Sequence, residues 1–124
     1  MKWLLLFSLV LVLSCSAPEN EWQEGSSFQA NIQPLFDMNC TRCHGSSGGL
    51  NLEFSESYSE LVGVQSANWT GLRVMAYEPD YSVLYLKVSG AAGYGNQMPL
   101  DGAPLSSSEI GSIRAWIEEG ALAN

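Results

Sequence analysis

The sequence predicts a small all-α fold of three to five helices, and three observations carry that reading. Apolar residues recur at helical spacing in separate segments, around Phe28 to Phe36, Tyr81 to Val88 and Ile110 to Ile117. Capping residues and closing glycines bracket these segments: Asp80 before the second, Ser106 with Glu109 at the start of the third, and Gly90 and Gly120 at their ends. The pentapeptide Cys40-Thr41-Arg42-Cys43-His44, a C-x-x-C-H motif, directly follows the first segment. The chain has 124 residues and no evident internal repeat, so the folded part reads as one domain.

Along the chain, Met1-Lys2 is a short positive start and Trp3 to Leu13 an almost unbroken apolar run. A membrane-spanning helix needs about 20 apolar residues, so the shorter run reads as an export signal over residues 1–14. It ends at Val12-Leu13-Ser14-Cys15, which resembles the cleavage box of a bacterial lipoprotein, with valine where leucine is commoner. The alternative is an ordinary secretory signal with an incidental cysteine. In the lipoprotein reading Cys15 becomes the first residue and carries lipid. Each buried methylene contributes roughly 0.8 kcal/mol, so a multiply acylated Cys15 anchors stably. Ser16 after Cys15, rather than Asp, favours the outer membrane by the same analogy. Residues 15–26 are polar and acidic, with Pro18 and Gly25, and read as a linker holding the domain, residues 27–124, off the membrane.

Phe28, Ile32, Leu35 and Phe36 define the first apolar face, and Ser26 with Gln29 has capping-box spacing. Pro34 breaks a continuous ladder, so a turn or short helix comes first and the regular helix begins near Gln33, with Pro34 in its first turn. Gly45 to Gly49 is a loop of small residues that lets Leu50 and Leu52 pass close to the motif. Ser55 to Val62 reads as a short helix with Tyr58, Leu61 and Val62 inward and Gly63 ending it. Leu72 to Tyr77 alternates like an extended, half-buried stretch. The next helix starts at Pro79-Asp80, with Asp80 as N-cap and Lys87 suiting the negative end of the helix dipole. The last has a capping box, Ser106 with Glu109, and a hydrophobic staple, Leu105 with Ile110. Its buried stripe is Ile110, Ile113 and Ile117, and Trp116 packs toward the first helix.

The C-x-x-C-H spacing is the one that attaches a c-type haem. Cys40 and Cys43 each supply a thiol for a thioether, and His44 lies next to the iron as proximal ligand. His44 is the only histidine, so a second protein ligand must be a Met thioether. Met1 falls in the export signal and Met38 lies too near Cys40 to reach the opposite face. Met98 and Met75 remain. Met98, in the glycine-rich Gly93 to Pro99 loop, is the expected distal ligand; Met75, in the alternating stretch, reads as packing.

Other chemistries are poorly served. A structural zinc site needs four ligands, and only Cys40, Cys43 and His44 are at hand in the domain. A thioredoxin-like pair has no use for His44. With one histidine, no Ser-His or Cys-His nucleophile remains, and the acidic residues show no close pair. The formal net charge is −8, with no basic cluster, which disfavours nucleic acid and suits a redox partner with a basic docking face.

With these residues in hand, the chain resembles the planctomycete-type single-haem cytochrome c domain. The matching stretches are Ile32-Gln33-Pro34-Leu35-Phe36, Cys40 to Gly45, Gly48-Gly49-Leu50-Asn51-Leu52, Glu78-Pro79-Asp80, Ser82 to Val88, Met98-Pro99, and Leu105 to Gly120. Ala76-Tyr77 departs from it, where a glycine is expected. The resemblance implies a cytochrome c-like fold around one covalent haem c and its iron, with Cys40 and Cys43 as attachment sites, His44 proximal and Met98 distal. It implies an electron carrier rather than an enzyme, working outside the cytoplasmic membrane. A haem-based small-ligand sensor and a cytochrome subunit of a larger dehydrogenase complex are the alternatives.

Overall fold

The computed structural model describes residues 25–46 and 49–124. The export signal, Cys15 and the linker as far as Glu24 lie outside the described residues. Within them the chain forms four α-helices: α1 (Gln33–Asn39), α2 (Ser57–Leu61), α3 (Val83–Ser89) and α4 (Ser107–Glu118).

Pro34 shapes the entry to α1. It has no N–H to continue a helical ladder, and the chain arrives through a π-helical turn, Phe28–Ile32, closed by the Gln33 N–H on the Phe28 carbonyl. The cap lies one residue later than the sequence predicts. Ser27 Oγ accepts from the Ala30 N–H at 3.2 Å, whereas Ser26 donates its own N–H to Glu119 at 2.6 Å. The Gln29 N–H, which a box starting at Ser26 would use, goes instead to the Asn124 carbonyl at 2.8 Å. The Asn124 side chain also accepts from the Phe28 N–H at 2.9 Å, so the two ends of the domain are tied together.

Phe28 stands at the centre of the core. Its ring lies 5.1 Å from Trp116, 5.2 Å from Tyr58 and 6.2 Å from Phe36, the last two edge-on. Such aromatic pairs add to simple area burial, and here they join α1, α2 and α4. Ile113, Trp116 and Ile117 of α4 are fully buried, as their helical spacing predicts, and Trp116 satisfies its indole N–H on the Leu122 carbonyl. The capping box is formed in full: Ser106 Oγ accepts from the Glu109 N–H and Glu109 accepts from the Ser106 N–H. One buried amide supports α1 from below. Gln33 donates to the Leu52 carbonyl at 3.0 Å and to Asp37 at 2.8 Å, and accepts from the Ser57 hydroxyl of α2. Every polar atom of that side chain is therefore paired, as burial requires.

Leu72 to Met75 is extended, paired only through isolated bridges, Val62 with Val74 and Gln65 with Leu72, whereas Ala76-Tyr77 forms a turn with Tyr77 at φ 70°, so the stretch ends two residues sooner than the sequence predicts. Val74 is buried and Met75 exposed, so the alternation is present but Met75 lies on its outward side and does not pack in the core as the sequence predicts. The helix predicted from Asp80 is split. Pro79–Tyr81 is a 3-10 turn, Ser82 is extended, and α3 begins at Val83. Buried Ser82 explains the break: its hydroxyl donates to the Glu78 carbonyl and accepts from the Met75 N–H, both at 2.8 Å, fastening the extended stretch to the helix start. Asp80 is consequently not a cap. Its carboxylate pairs with Arg114 of α4 at 3.0 Å. Tyr81 is exposed and contributes nothing to the buried face of α3.

Candidate haem site

The end of α1 delivers the motif. Cys40 and Thr41 both donate backbone N–H groups to the Phe36 carbonyl, and the Cys43 and His44 N–H groups both return to the Cys40 carbonyl, at 3.0 and 2.8 Å. The motif is thus a tight turn that holds both cysteines and the histidine in fixed relation. The His44 carbonyl then accepts from the Leu52 N–H at 2.8 Å, which folds the Leu50 to Leu52 segment back beside the turn.

Two adjoining cavities open there. The larger, about 600 Å³, is lined mainly by apolar side chains, among them Leu50, Leu52, Leu61, Leu84 and Val88. The smaller, about 350 Å³, is bounded by Cys43, Pro99 and Leu100. Cys40, His44 and Met98 line both. The four side chains that the sequence assigns to haem therefore converge on one cleft. Met75 lines neither cavity, and it is exposed.

The chemistry of these groups suits a porphyrin held through carbon–sulfur bonds and iron. Cys40 and Cys43 are free of disulfide, Cys40 half-buried and Cys43 exposed at the rim. Burial pushes the Cys40 thiol up to about 11, so it stands protonated at neutral pH. Burial also lowers the basicity of His44, which favours the neutral imidazole that binds a metal. Its Nδ1 is buried and, among the described residues, has no hydrogen-bond partner. A buried polar atom left unpaired is costly, and an imidazole that the surrounding protein does not engage is one the fold leaves for another ligand. No group of three or more His, Cys, Asp or Glu among the described residues could hold a bare metal ion.

Met98 is carried by a loop seated on the end of α3. Its N–H donates to the Lys87 carbonyl at 3.0 Å, and the neighbouring Gln97 amide donates to the Val88 carbonyl at 2.7 Å. The Met98–Pro99 peptide is cis. Among the residues of the larger cavity that escaped the sequence reading as site residues are Trp69, Arg73 and Lys87. Arg73 is nearly buried, paired with Glu60 at 2.6 Å and donating to the Gly49 carbonyl at 3.0 Å. Lys87 lies 5.2 Å from the centre of the Trp69 ring. Nothing in the local sequence marks Trp69, which lies in an irregular loop; Arg73 is foreshadowed only as the lone cation of an otherwise apolar alternating stretch.

With this geometry in view, the family model for cytochrome c matches residues 29–121. The chain belongs to the cytochrome c family, whose members carry covalent haem c with its iron and act in electron transfer. Among solved structures it is similar to a chain of the Kuenenia stuttgartiensis hydrazine synthase, at 24% identity and a TM-score of 0.58. That likeness covers 77% of this chain and 16% of the other, so this chain spans only a small part of that one, and what they share is the fold. No curated protein matches the chain.

Proposed function

We propose that this chain is a single-haem electron carrier, anchored by lipid at Cys15 on the periplasmic side, the outer membrane favoured, with His44 and Met98 as the axial ligands. The observation that carries the ligand assignment is that His44 and Met98, far apart in sequence, line the same two cavities together with Cys40. When bound, haem c supplies a one-electron iron couple, and His/Met ligation raises its potential. Cys40 and Cys43 hold the group by thioethers from one turn. Leu50, Leu52 and Leu84 keep water from the cleft, which favours the less charged reduced state. With both axial positions taken by side chains, substrate has no place to bind, which supports a carrier rather than an enzyme.

The surface supports a basic partner. Among the described residues, Arg42, Arg73 and Arg114 are each engaged by a carboxylate, and Lys87 by backbone carbonyls. Carboxylates therefore dominate the outward field, which steers a positively charged docking face.

The test is a redox titration with parallel absorption spectra of the wild type, Met98→Ala and Met75→Ala. The wild type is expected to be low-spin in both oxidation states. Met98→Ala is expected to lose that character and drop in potential, while Met75→Ala matches the wild type. A high-spin ferric wild type at neutral pH would refute the ligation.

A second reading takes support from the occurrence of this fold as a minor part of a hydrazine synthase chain: this chain would serve as the cytochrome subunit of a larger redox assembly. Native-size analysis of the detergent-extracted protein distinguishes the two, a lone monomer-sized species favouring the carrier.

A further inference from the structure

Lys87 grips the Met98 loop from two sides. Its ammonium donates to the Tyr94 carbonyl at 2.8 Å and to the Asn96 carbonyl at 2.7 Å, while its own carbonyl accepts the Met98 N–H at 3.0 Å. Trp69 backs the grip: its ring lies under the ammonium, 5.6 Å from the Tyr94 ring, and a side chain on Gly95 would come within 3.1 Å of it. Between Gly90 and Met98 the other hydrogen bonds are the Ala91 N–H to the Leu86 carbonyl at 2.9 Å, the Tyr94 N–H to the Ala91 carbonyl at 3.4 Å and the Gln97 amide to the Val88 carbonyl at 2.7 Å, and only the two from Lys87 carry charge. Gly93 and Gly95 both have positive φ, 89° and 71°, and glycine backbone is the most expensive to order. Charge-assisted hydrogen bonds are about twice as strong as neutral ones. The two from Lys87 thus offset part of the ordering cost of the segment that presents Met98.

We propose that Lys87 is a positioning residue for the distal ligand: its ammonium holds the Tyr94 to Asn96 backbone so that Met98 is presented to the iron rather than drifting from it. The proposal rests on Met98 being that ligand. Loss of the two bonds raises the fraction of molecules with Met98 displaced, and an external ligand that competes with Met98 gains apparent affinity by the same factor.

The experiment uses haem-loaded wild type, Lys87→Met, Lys87→Arg and Met98→Ala. It reads carbon monoxide affinity of the reduced protein and the sulfur-to-iron charge-transfer absorption of the oxidised protein. Lys87→Met is expected to bind carbon monoxide roughly tenfold more tightly than wild type, with a weakened charge-transfer band and unchanged helix and haem content. Lys87→Arg, which keeps charge and donors, stays near wild type. If Lys87→Met matches wild type while Met98→Ala differs from both, Lys87 does not position the ligand. If Met98→Ala itself matches wild type, the ligand assignment has failed instead. Should Lys87→Met give no holoprotein, proton exchange of the lysine ammonium in reduced wild-type protein decides the matter by NMR, since Lys2 and Lys87 are the only lysines. Slowed exchange at Lys87 supports the grip, and exchange as fast as in a free lysine overturns it.

Discussion

The Tyr77 side chain fills the space a side chain on Gly120 would need: a Cβ there would lie 2.9 Å from three of its atoms. Both residues have positive φ, 70° for Tyr77 and 105° for Gly120, and both donate their N–H to the Ile117 carbonyl, at 2.7 and 3.0 Å. The end of α4 is thus closed by a residue from the turn after the extended stretch, in the Ala76-Tyr77 pair where the family resemblance expects a glycine. Tyr77 accepts the left-handed backbone, which costs an L-residue roughly 1–2 kcal/mol.

Gly120→Ala should therefore destabilise the protein by about 1–3 kcal/mol, through both backbone strain and the clash with Tyr77. Urea unfolding of the holoprotein measures it. In a Tyr77→Gly background the penalty should shrink, because the clash is gone and only the strain at position 120 remains. An unchanged penalty would show that the two positions do not couple.

The two cysteines should be separable. In Cys40→Ala or Cys43→Ala a single thioether still retains the haem through denaturation; in the double variant the haem should extract into acidified organic solvent. Haem-stained denaturing gels read this directly. Retention in the double variant would mean that attachment lies elsewhere.

Ser106→Ala should cost about 1 kcal/mol, the usual loss for removing a helix N-cap. The partner carboxylate adds a pH dependence. The Ser106 backbone N–H, then its hydroxyl, hold Glu109 below its ordinary value of 4.5. A depressed folded value means that the contribution is present above pH 4.5 and is lost as pH falls through the folded value. The stability gap between wild type and Glu109→Ala should accordingly be open at neutral pH and close in acid. A gap that widens in acid would contradict this sign.

Arg42 and Asp101 meet at 2.9 Å beside the cleft, yet both are well exposed, 69% and 57%. An exposed pair of this kind contributes little, so Arg42→Ala should change stability by no more than about 1 kcal/mol and leave the absorption spectrum as it is. Thermal melts of the holoprotein check the first part and optical spectra the second.

Much of this was legible in the sequence where the determinant is local. The capping box at Ser106, Pro34 at the start of α1 and Gly90 at the end of α3 all depend on neighbours a few residues away and are found as read, and of the α4 stripe Ile113 and Ile117 are buried while Ile110 is only partly so. The errors arose where a distant group took over a local role. Asn124 claims the Gln29 N–H and shifts the first cap to Ser27; Arg114 draws Asp80 away from capping; Ser82 turns inward and splits the helix. The site divides the same way. Cys40, Cys43 and His44 share one motif, and Met98 stands out once the other methionines are weighed. Trp69 and the ammonium of Lys87 reach the cleft only through tertiary packing, and Lys87, read as a cation suiting the helix dipole, spends its charge on loop carbonyls.

The most direct test of the account is the intact mass, under denaturing conditions, of the protein made in a host that matures c-type cytochromes. The account predicts a polypeptide that starts at Cys15, heavier by one haem and by the lipid on Cys15, with the haem mass on the peptide that contains Cys40 and Cys43. A colourless product with both thiols free to alkylate would contradict it.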